Sequence, residues 1–232
     1  MKINNIKTIF FDLDNTLFDH TRAEQTALKI LLNTFPETFS SVNEEEFFRV
    51  YDKNNTIVWK KLSEGKISSQ ELKVLRFQMT LNDLNIFTEN VEELSKYYLG
   101  LYTKQSFVSP HLNDTLNYLK PKYYLGILSN GFANIQESKL TNLELDSYFR
   151  YKIFSGDVGA MKPCSKIFYE AMNIAKSQAN EIAYVGDSYE DDIKGAKAVG
   201  WKAIFYNPLS KPTNDDLADV EITDLLELTQ IF

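Results

Sequence analysis

The chain has 232 residues, of which 44% are hydrophobic, enough for one large domain or for a core that carries a smaller insert. The formal net charge of −7 offers no positive surface to a polyanion, so we expect neither nucleic acid nor an anionic membrane as a partner. An anionic substrate must therefore be held by local positive charge.

The single cysteine, Cys164, excludes an intramolecular disulfide and a cysteine metal cluster, which suits a reducing compartment. The first apolar stretch soon meets Asp12 and Asp14, so it is too short for a membrane span, and it lacks the cleavage region of a signal peptide. We therefore expect a cytoplasmic protein.

Short apolar runs, each followed by a polar or glycine-containing turn and then by helical spacing, recur along the chain. They cover residues 8–11, 123–128, 182–185 and 203–206. Strands followed by helices are typical of parallel βαβ units, and nearly continuous apolar runs are typical of strands buried on both faces. The pattern predicts an α/β fold with a Rossmann-like open parallel sheet and helices on both faces.

The segment between the first and second of these runs has a different pattern. Its apolar residues recur at helical spacing, as at Phe47, Val50, Tyr51 and Val58, and no comparable strand occurs. We predict an α/β core formed by residues 1–16 and 106–232, and an all-helical domain formed by residues 17–105 and inserted after the first strand.

Two aspartates, Asp12 and Asp14, follow the first predicted strand. Their spacing places both carboxylates on one face of an extended backbone, at the edge of an open α/β sheet where ligands bind. Two close carboxylates repel, which calls for a cation between them or a raised pKa on one of them. The alternative interpretation is a solvated turn with acidic caps.

Two further polar segments follow predicted strands or enter helices. Ser129-Asn130-Gly131 offers a hydroxyl and backbone N–H groups that suit a phosphate, although an ordinary helix N-cap has the same pattern. Lys162 precedes Pro163, which stiffens the backbone, and its ammonium either points inward at negative charge or lies on the surface.

The last acidic segment follows the predicted strand at residues 182–185. Asp187 there is a hard oxygen ligand that suits Mg²⁺. Glu190 and Asp191 come at the start of the next helix, where acidic residues also stabilise the helix dipole.

Taken in order, these segments resemble the four motifs of the phosphatase branch of the haloacid dehalogenase superfamily. The motifs span almost the whole chain, and the helical insert resembles the helical cap domain of that family, which closes over the site and selects substrate. The four motifs are Asp12-Leu13-Asp14-Asn15-Thr16, Ser129-Asn130, Lys162-Pro163, and Gly186-Asp187-Ser188 followed by Asp192.

The resemblance implies a phosphoric monoester hydrolase that uses Mg²⁺ and an aspartyl-phosphate intermediate. Asp12 would be the nucleophile, and Asp14 would protonate the leaving oxygen and then deprotonate the attacking water. The remaining implied roles are Mg²⁺ binding by Asp12, Asp187 and the backbone carbonyl of Asp14, substrate binding by Ser129, Asn130 and Lys162, a catalytic role for Lys162, and a supporting acid at Asp192 or the adjacent Asp191.

The sequence of three short segments indicates a narrower class of substrate. Residues 18–24, 129–132 and 155–163 look like the pyrimidine 5′-nucleotidase subgroup, whose members remove phosphate from nucleoside monophosphates. A sugar-phosphate mutase or other phosphotransferase, a phosphonatase that uses a cap lysine, and a non-catalytic binding module on the same fold are the alternatives. The expected partner is a small phosphorylated molecule, and the expected assembly is a monomer or a homodimer.

Overall fold

The computed structural model describes residues 3–40, 42–213 and 216–232. The chain forms two compact units. One combines Met1–His20 with Ser106–Phe232, and the other is Thr21–Gln105. The first unit is therefore made of two separate stretches of chain, and the second is an insertion between them.

The first unit contains a sheet of six parallel strands in the order β3-β2-β1-β4-β5-β6. Phe11 at the end of β1 is in register with Ile127 of β2 and Val185 of β4. The strands are β1 (Thr8–Phe11), β2 (Tyr124–Ser129), β3 (Tyr151–Phe154), β4 (Ile182–Gly186), β5 (Lys202–Tyr206) and β6 (Val220–Ile222).

Four of these strands match the predicted apolar runs, whereas β3 and β6 escaped prediction. β3 begins with the half-buried Tyr151 and Lys152, and β6 has three residues with an exposed Glu221 in the middle. The two strands lie at the edges of the sheet, where one side lacks a neighbour and continuous apolar sequence is not required.

Helices are the regular secondary structure of the inserted unit over its described residues, and they are α1 (His20–Thr34), α2 (Pro36–Phe39), α3 (Glu44–Ser63), α4 (Ser69–Asp83) and α5 (Val91–Tyr102). α3 begins at Asn43, whose side chain accepts a hydrogen bond from the Glu46 N–H. α4 begins with a capping box between Ser68 and Glu71. Aromatic rings form the interior of this unit, with Tyr51 and Tyr98 each 5.3 Å from Phe77 between ring centroids.

The first unit adds α6 (Leu112–Leu119), α7 (Ala133–Asn142), α8 (Ser155–Val158), α9 (Ser165–Ala175), α10 (Lys194–Ala198) and α11 (Leu228–Ile231). Its core includes Trp201, whose ring lies 5.5 Å from Phe10 and 5.4 Å from Phe168 between centroids. Phe168 of α9 also lies 5.9 Å from Tyr184 of β4 between ring centroids, so α9 packs against the sheet.

The predicted fold class is confirmed: an α/β fold with a Rossmann-like open parallel sheet and an all-helical insertion after the first strand. None of the described helices combines the length and the apolar composition that crossing a bilayer requires.

Candidate active site

The polar residues at the carboxyl ends of β1, β2 and β4 lie at one edge of the sheet. β1 lies between β2 and β4, and all three strands are parallel, so their carboxyl ends are adjacent. Asp12, Ser129 and Asp187 occupy those ends. The structure thus brings residues from distant parts of the sequence to the edge where open α/β sheets bind ligands.

Lys162 lies at the centre of this edge, with only 5% of its surface exposed. Its Nζ donates hydrogen bonds to Asp12 Oδ1 at 2.6 Å, Asp192 Oδ1 at 2.6 Å and the Tyr184 hydroxyl at 2.8 Å. Burial alone would lower the pKa of Lys162, but Asp12 and Asp192 raise it above its ordinary value. The ammonium therefore points inward and is charged.

The Lys162 backbone is held by the predicted substrate-binding residue Asn130. The Asn130 amide donates to the Lys162 carbonyl at 3.1 Å and accepts from the Lys162 N–H at 2.7 Å. Ser155 Oγ in turn donates to the Asn130 carbonyl at 2.8 Å. The Asn130 side chain thus connects the end of β2 to the loop that carries Lys162.

Of the two adjacent aspartates in the last motif, the structure places Asp192 at the site. Asp192 is 1% exposed, and besides Lys162 it accepts hydrogen bonds from the Tyr184 hydroxyl at 3.1 Å and the Ser188 N–H at 3.0 Å. A Cβ on Gly186 would lie 2.3 Å from Asp192 Oδ2, so only glycine permits this approach. Asp191 N–H donates to Ser188 Oγ at the start of the helical turn Tyr189–Ile193.

Three carboxylates at this edge can share a cation. Asp12, Asp187 and Asp192 each offer an oxygen, and these oxygens lie within 4.8 Å of one another. Burial, reinforced by Asp192, raises the pKa of Asp187 to about 7. Burial also raises the pKa of Asp12 well above its ordinary value, against the opposing effect of Lys162. Crowded, buried oxygen donors of this kind fit a hard divalent cation such as Mg²⁺.

Asp14 has different neighbours from Asp12. Its Oδ1 accepts from Lys139 Nζ at 2.5 Å, and its Oδ2 accepts from Gln136 Nε2 at 2.8 Å. Burial would raise the pKa of Asp14, but Lys139 and then His20 lower it to about 2. The two motif aspartates thus have pKa values displaced in opposite directions, that of Asp12 upward by burial and that of Asp14 downward by Lys139.

Sequence reasoning missed Gln136, Lys139 and Tyr184. Gln136 and Lys139 stand three positions apart on α7, the helix that follows the Ser129 motif, and both are buried. Their spacing after that motif was the available signal, but buried polar groups on a helix cannot be distinguished from exposed ones without knowing which face packs. Tyr184 carries a hydroxyl inside an otherwise apolar strand, which was a second signal.

The fold and the site together define an α/β enzyme whose charged groups meet at the carboxyl edge of a parallel sheet. The chain belongs to the family of haloacid dehalogenase-like hydrolases, whose sequence pattern it matches over residues 9–206. It is therefore a hydrolase, which confirms both the family and the enzyme class that the motifs predicted.

Comparison with individual proteins shows relatives along the whole chain. Pyrimidine 5′-nucleotidase YjjG of Escherichia coli K12 is 28% identical over 225 residues, which cover 96% of each chain. Glyceraldehyde 3-phosphate phosphatase of Methanothermobacter thermautotrophicus is 29% identical over 212 residues, 87% of this chain and 86% of the relative. Among solved structures, the HAD-hydrolase YfnB of Bacillus subtilis, described as bound to magnesium, superposes with a TM-score of 0.87 at 26% identity, covering 98% of this chain and 99% of YfnB.

Proposed function

We propose that the protein is a Mg²⁺-dependent phosphatase that hydrolyses a small phosphate monoester through an aspartyl-phosphate on Asp12. The observation that carries this proposal is the position of Asp12, whose carboxylate contacts the buried Lys162 ammonium and lies within the three-carboxylate cluster. A carboxylate can approach a phosphate dianion only where nearby positive charge offsets the repulsion.

Residues of this chain supply the first displacement. An Asp12 oxygen forms a bond to phosphorus while the bond between phosphorus and the ester oxygen breaks. Lys162, aided by Ser129 and Asn130, binds the phosphoryl oxygens. Asp14, whose low pKa leaves it ionised, must first take up a proton, which it then delivers to the departing oxygen. In the second displacement Asp14 removes a proton from water, which attacks phosphorus and releases Asp12.

Asp12, Asp187 and the Asp14 backbone carbonyl would hold the cation, and Asp192 lies close to the first two. When bound, Mg²⁺ supplies positive charge to the phosphoryl oxygens during transfer. The helical insertion is assigned the role of a cap domain that selects the substrate.

For the substrate we propose a nucleoside 5′-monophosphate. The support is the local resemblance of residues 18–24, 129–132 and 155–163 to pyrimidine 5′-nucleotidases, together with the similarity to YjjG along 96% of the chain. A sugar phosphate is the second candidate, favoured by the similarly close glyceraldehyde 3-phosphate phosphatase.

A phosphate-release screen tests this proposal. The purified protein is incubated with nucleoside monophosphates, sugar phosphates, phosphoglycolate and pyrophosphate, in Mg²⁺ and in EDTA. We expect the fastest release from a pyrimidine nucleoside monophosphate and none in EDTA. Equal rates with and without EDTA would contradict the metal requirement, and no turnover of any ester would leave a binding module.

A further inference from the structure

The Asp14 carboxylate is clasped by two side chains from one face of α7. Lys139 donates to Oδ1 and Gln136 to Oδ2, so each carboxylate oxygen accepts a hydrogen bond from a different side chain. The Asp14 side chain itself remains 29% exposed, whereas Lys139 is only 1% exposed. The donors are therefore buried behind the carboxylate, and part of Asp14 stays accessible.

Burying an ammonium costs free energy unless charge and packing compensate it. Lys139 obtains this compensation from Asp14 and from the ring of Phe18, whose centroid lies 4.8 Å from Nζ. Both contacts come from the segment that follows β1. The buried charge thus ties α7 to the stretch of chain that carries the first motif.

Gln136 extends the contact to the second motif. Its Nε2 donates to Ser129 Oγ at 2.7 Å as well as to Asp14. A Cβ on Gly131 would lie 2.2 Å from this Nε2, so the glycine leaves the space that Gln136 occupies. One amide therefore connects Asp14 to a proposed phosphoryl-binding hydroxyl.

We propose that Lys139 and Gln136 are positioning residues. They hold the Asp14 carboxylate in the orientation that proton transfer requires and keep it at a fixed position relative to Ser129. This inference rests on the proposed phosphatase activity. Proton transfer requires the carboxylate within hydrogen-bonding distance of the reacting oxygen, and a misplacement of about 1 Å costs roughly 100-fold in rate. The two donors restrict the rotation that would cause such a misplacement.

A double-mutant cycle between Lys139 and Asp14 tests this role. We compare kcat/KM for phenyl phosphate, whose departing oxygen needs a proton, with Mg²⁺ in the natural protein, Lys139→Met, Asp14→Asn and the double variant. Lys139→Met should lower kcat/KM about 10- to 100-fold when Asp14 is present, and by less than about 2-fold when Asp14 is already asparagine. Lys152→Met, which removes the lysine paired with Asp146 on the same unit, is the matched control. It should leave kcat/KM unchanged whether residue 14 is aspartate or asparagine.

Equal losses in both backgrounds would overturn the inference, because Lys139 would then act independently of Asp14. No loss in the natural background would overturn it as well. Both results leave the phosphatase assignment intact if the natural protein releases phosphate, whereas absence of turnover in the natural protein would overturn the assignment and this inference together. Thermal unfolding of each variant separates loss of positioning from loss of fold.

Gly131→Ala tests the same role without removing a charge. The added Cβ must displace Gln136, so we expect kcat/KM to fall about 10-fold or more, with a smaller fall in the Asp14→Asn background. Gly156→Ala is the matched control, because a Cβ there meets no atom within 4 Å, and it should change kcat/KM by less than about 2-fold. Unchanged kcat/KM in Gly131→Ala would overturn the part assigned to Gln136.

Discussion

At the scale of single residues, the site depends on one buried ammonium shared by two buried carboxylates. Lys162 contacts Asp12 and Asp192 at equal distances of 2.6 Å, so each carboxylate has a positive neighbour despite its burial. Removal of Lys162 leaves both carboxylates with uncompensated charge, whereas removal of one carboxylate leaves Lys162 paired with the other. The same three groups therefore affect both stability and the proposed chemistry.

Asp12→Asn tests the nucleophile. The amide has nearly the same shape as the carboxylate but cannot attack phosphorus, so we expect kcat to fall on the order of 10⁴-fold or more. The unfolding temperature should stay within a few degrees, because Lys162 retains Asp192 as a partner. Asp114→Asn, at an exposed aspartate of α6, is the control and should leave kcat unchanged. Phosphate release at the natural rate by Asp12→Asn would refute the nucleophile assignment.

Lys162→Ala should weaken substrate affinity and slow turnover together, because its charge acts on both the ground state and the transition state. We expect kcat/KM to fall roughly 100- to 1,000-fold. The free energy of unfolding should also fall, by about 3 to 5 kcal/mol, because the buried carboxylates of Asp12 and Asp192 lose the Lys162 ammonium. Steady-state kinetics and urea titration measure the two effects, and an unchanged kcat would exclude the proposed role.

At the scale of secondary-structure elements, Asp219 connects α10 to β5. It accepts hydrogen bonds from Lys197 and Lys202 at 2.8 Å and from the Ala203 N–H at 2.9 Å. Burial would raise the pKa of Asp219, but these donors lower it below its ordinary value. This carboxylate thus anchors the strand that follows the last motif.

Because its pKa is depressed in the folded protein, Asp219 stabilises the fold above the unfolded pKa of about 3.9, and this contribution is lost as the pH falls through the folded value. Asp219→Asn should lower the free energy of unfolding by about 1 to 2 kcal/mol at pH 7, with the difference shrinking in acid. Urea titrations of both proteins at pH 7 and in acid measure the difference in the free energy of unfolding. Glu190→Gln, which breaks an exposed pair with Lys194, should cost less than about 0.5 kcal/mol. A difference that does not vary with pH would contradict the assignment.

At the scale of the whole molecule, the two units differ in how the chain builds them. The helical unit is one continuous stretch, whereas the sheet unit joins β1 to strands that begin after residue 105. The proposed metal site lies wholly within the sheet unit. Cation binding should therefore stabilise that unit directly.

Mg²⁺ should raise the unfolding temperature, because the cation binds the folded carboxylate cluster and not the unfolded chain. At about 100 times the dissociation constant, the gain of about 2.7 kcal/mol corresponds to a rise of roughly 5 to 10 °C. EDTA should reverse the rise, and NaCl at equal ionic strength should not reproduce it. Differential scanning calorimetry of Asp187→Asn should show a much smaller rise, and an undiminished one would rule out Asp187 as a ligand.

The sequence by itself determined the central strands, the helical character of the insertion and the family. The reason is that hydrophobic periodicity and the order of the motifs are visible along the chain without knowledge of which residues meet in space. It placed Asp12, Asp187 and Lys162 as candidates without showing that they meet. Only the tertiary structure separated Asp192 from Asp191 and revealed Gln136, Lys139 and Tyr184 beside the motif residues. The physical reason is that a buried polar group is defined by partners distant in sequence, and those partners become neighbours only when parallel strands bring their carboxyl ends to one edge.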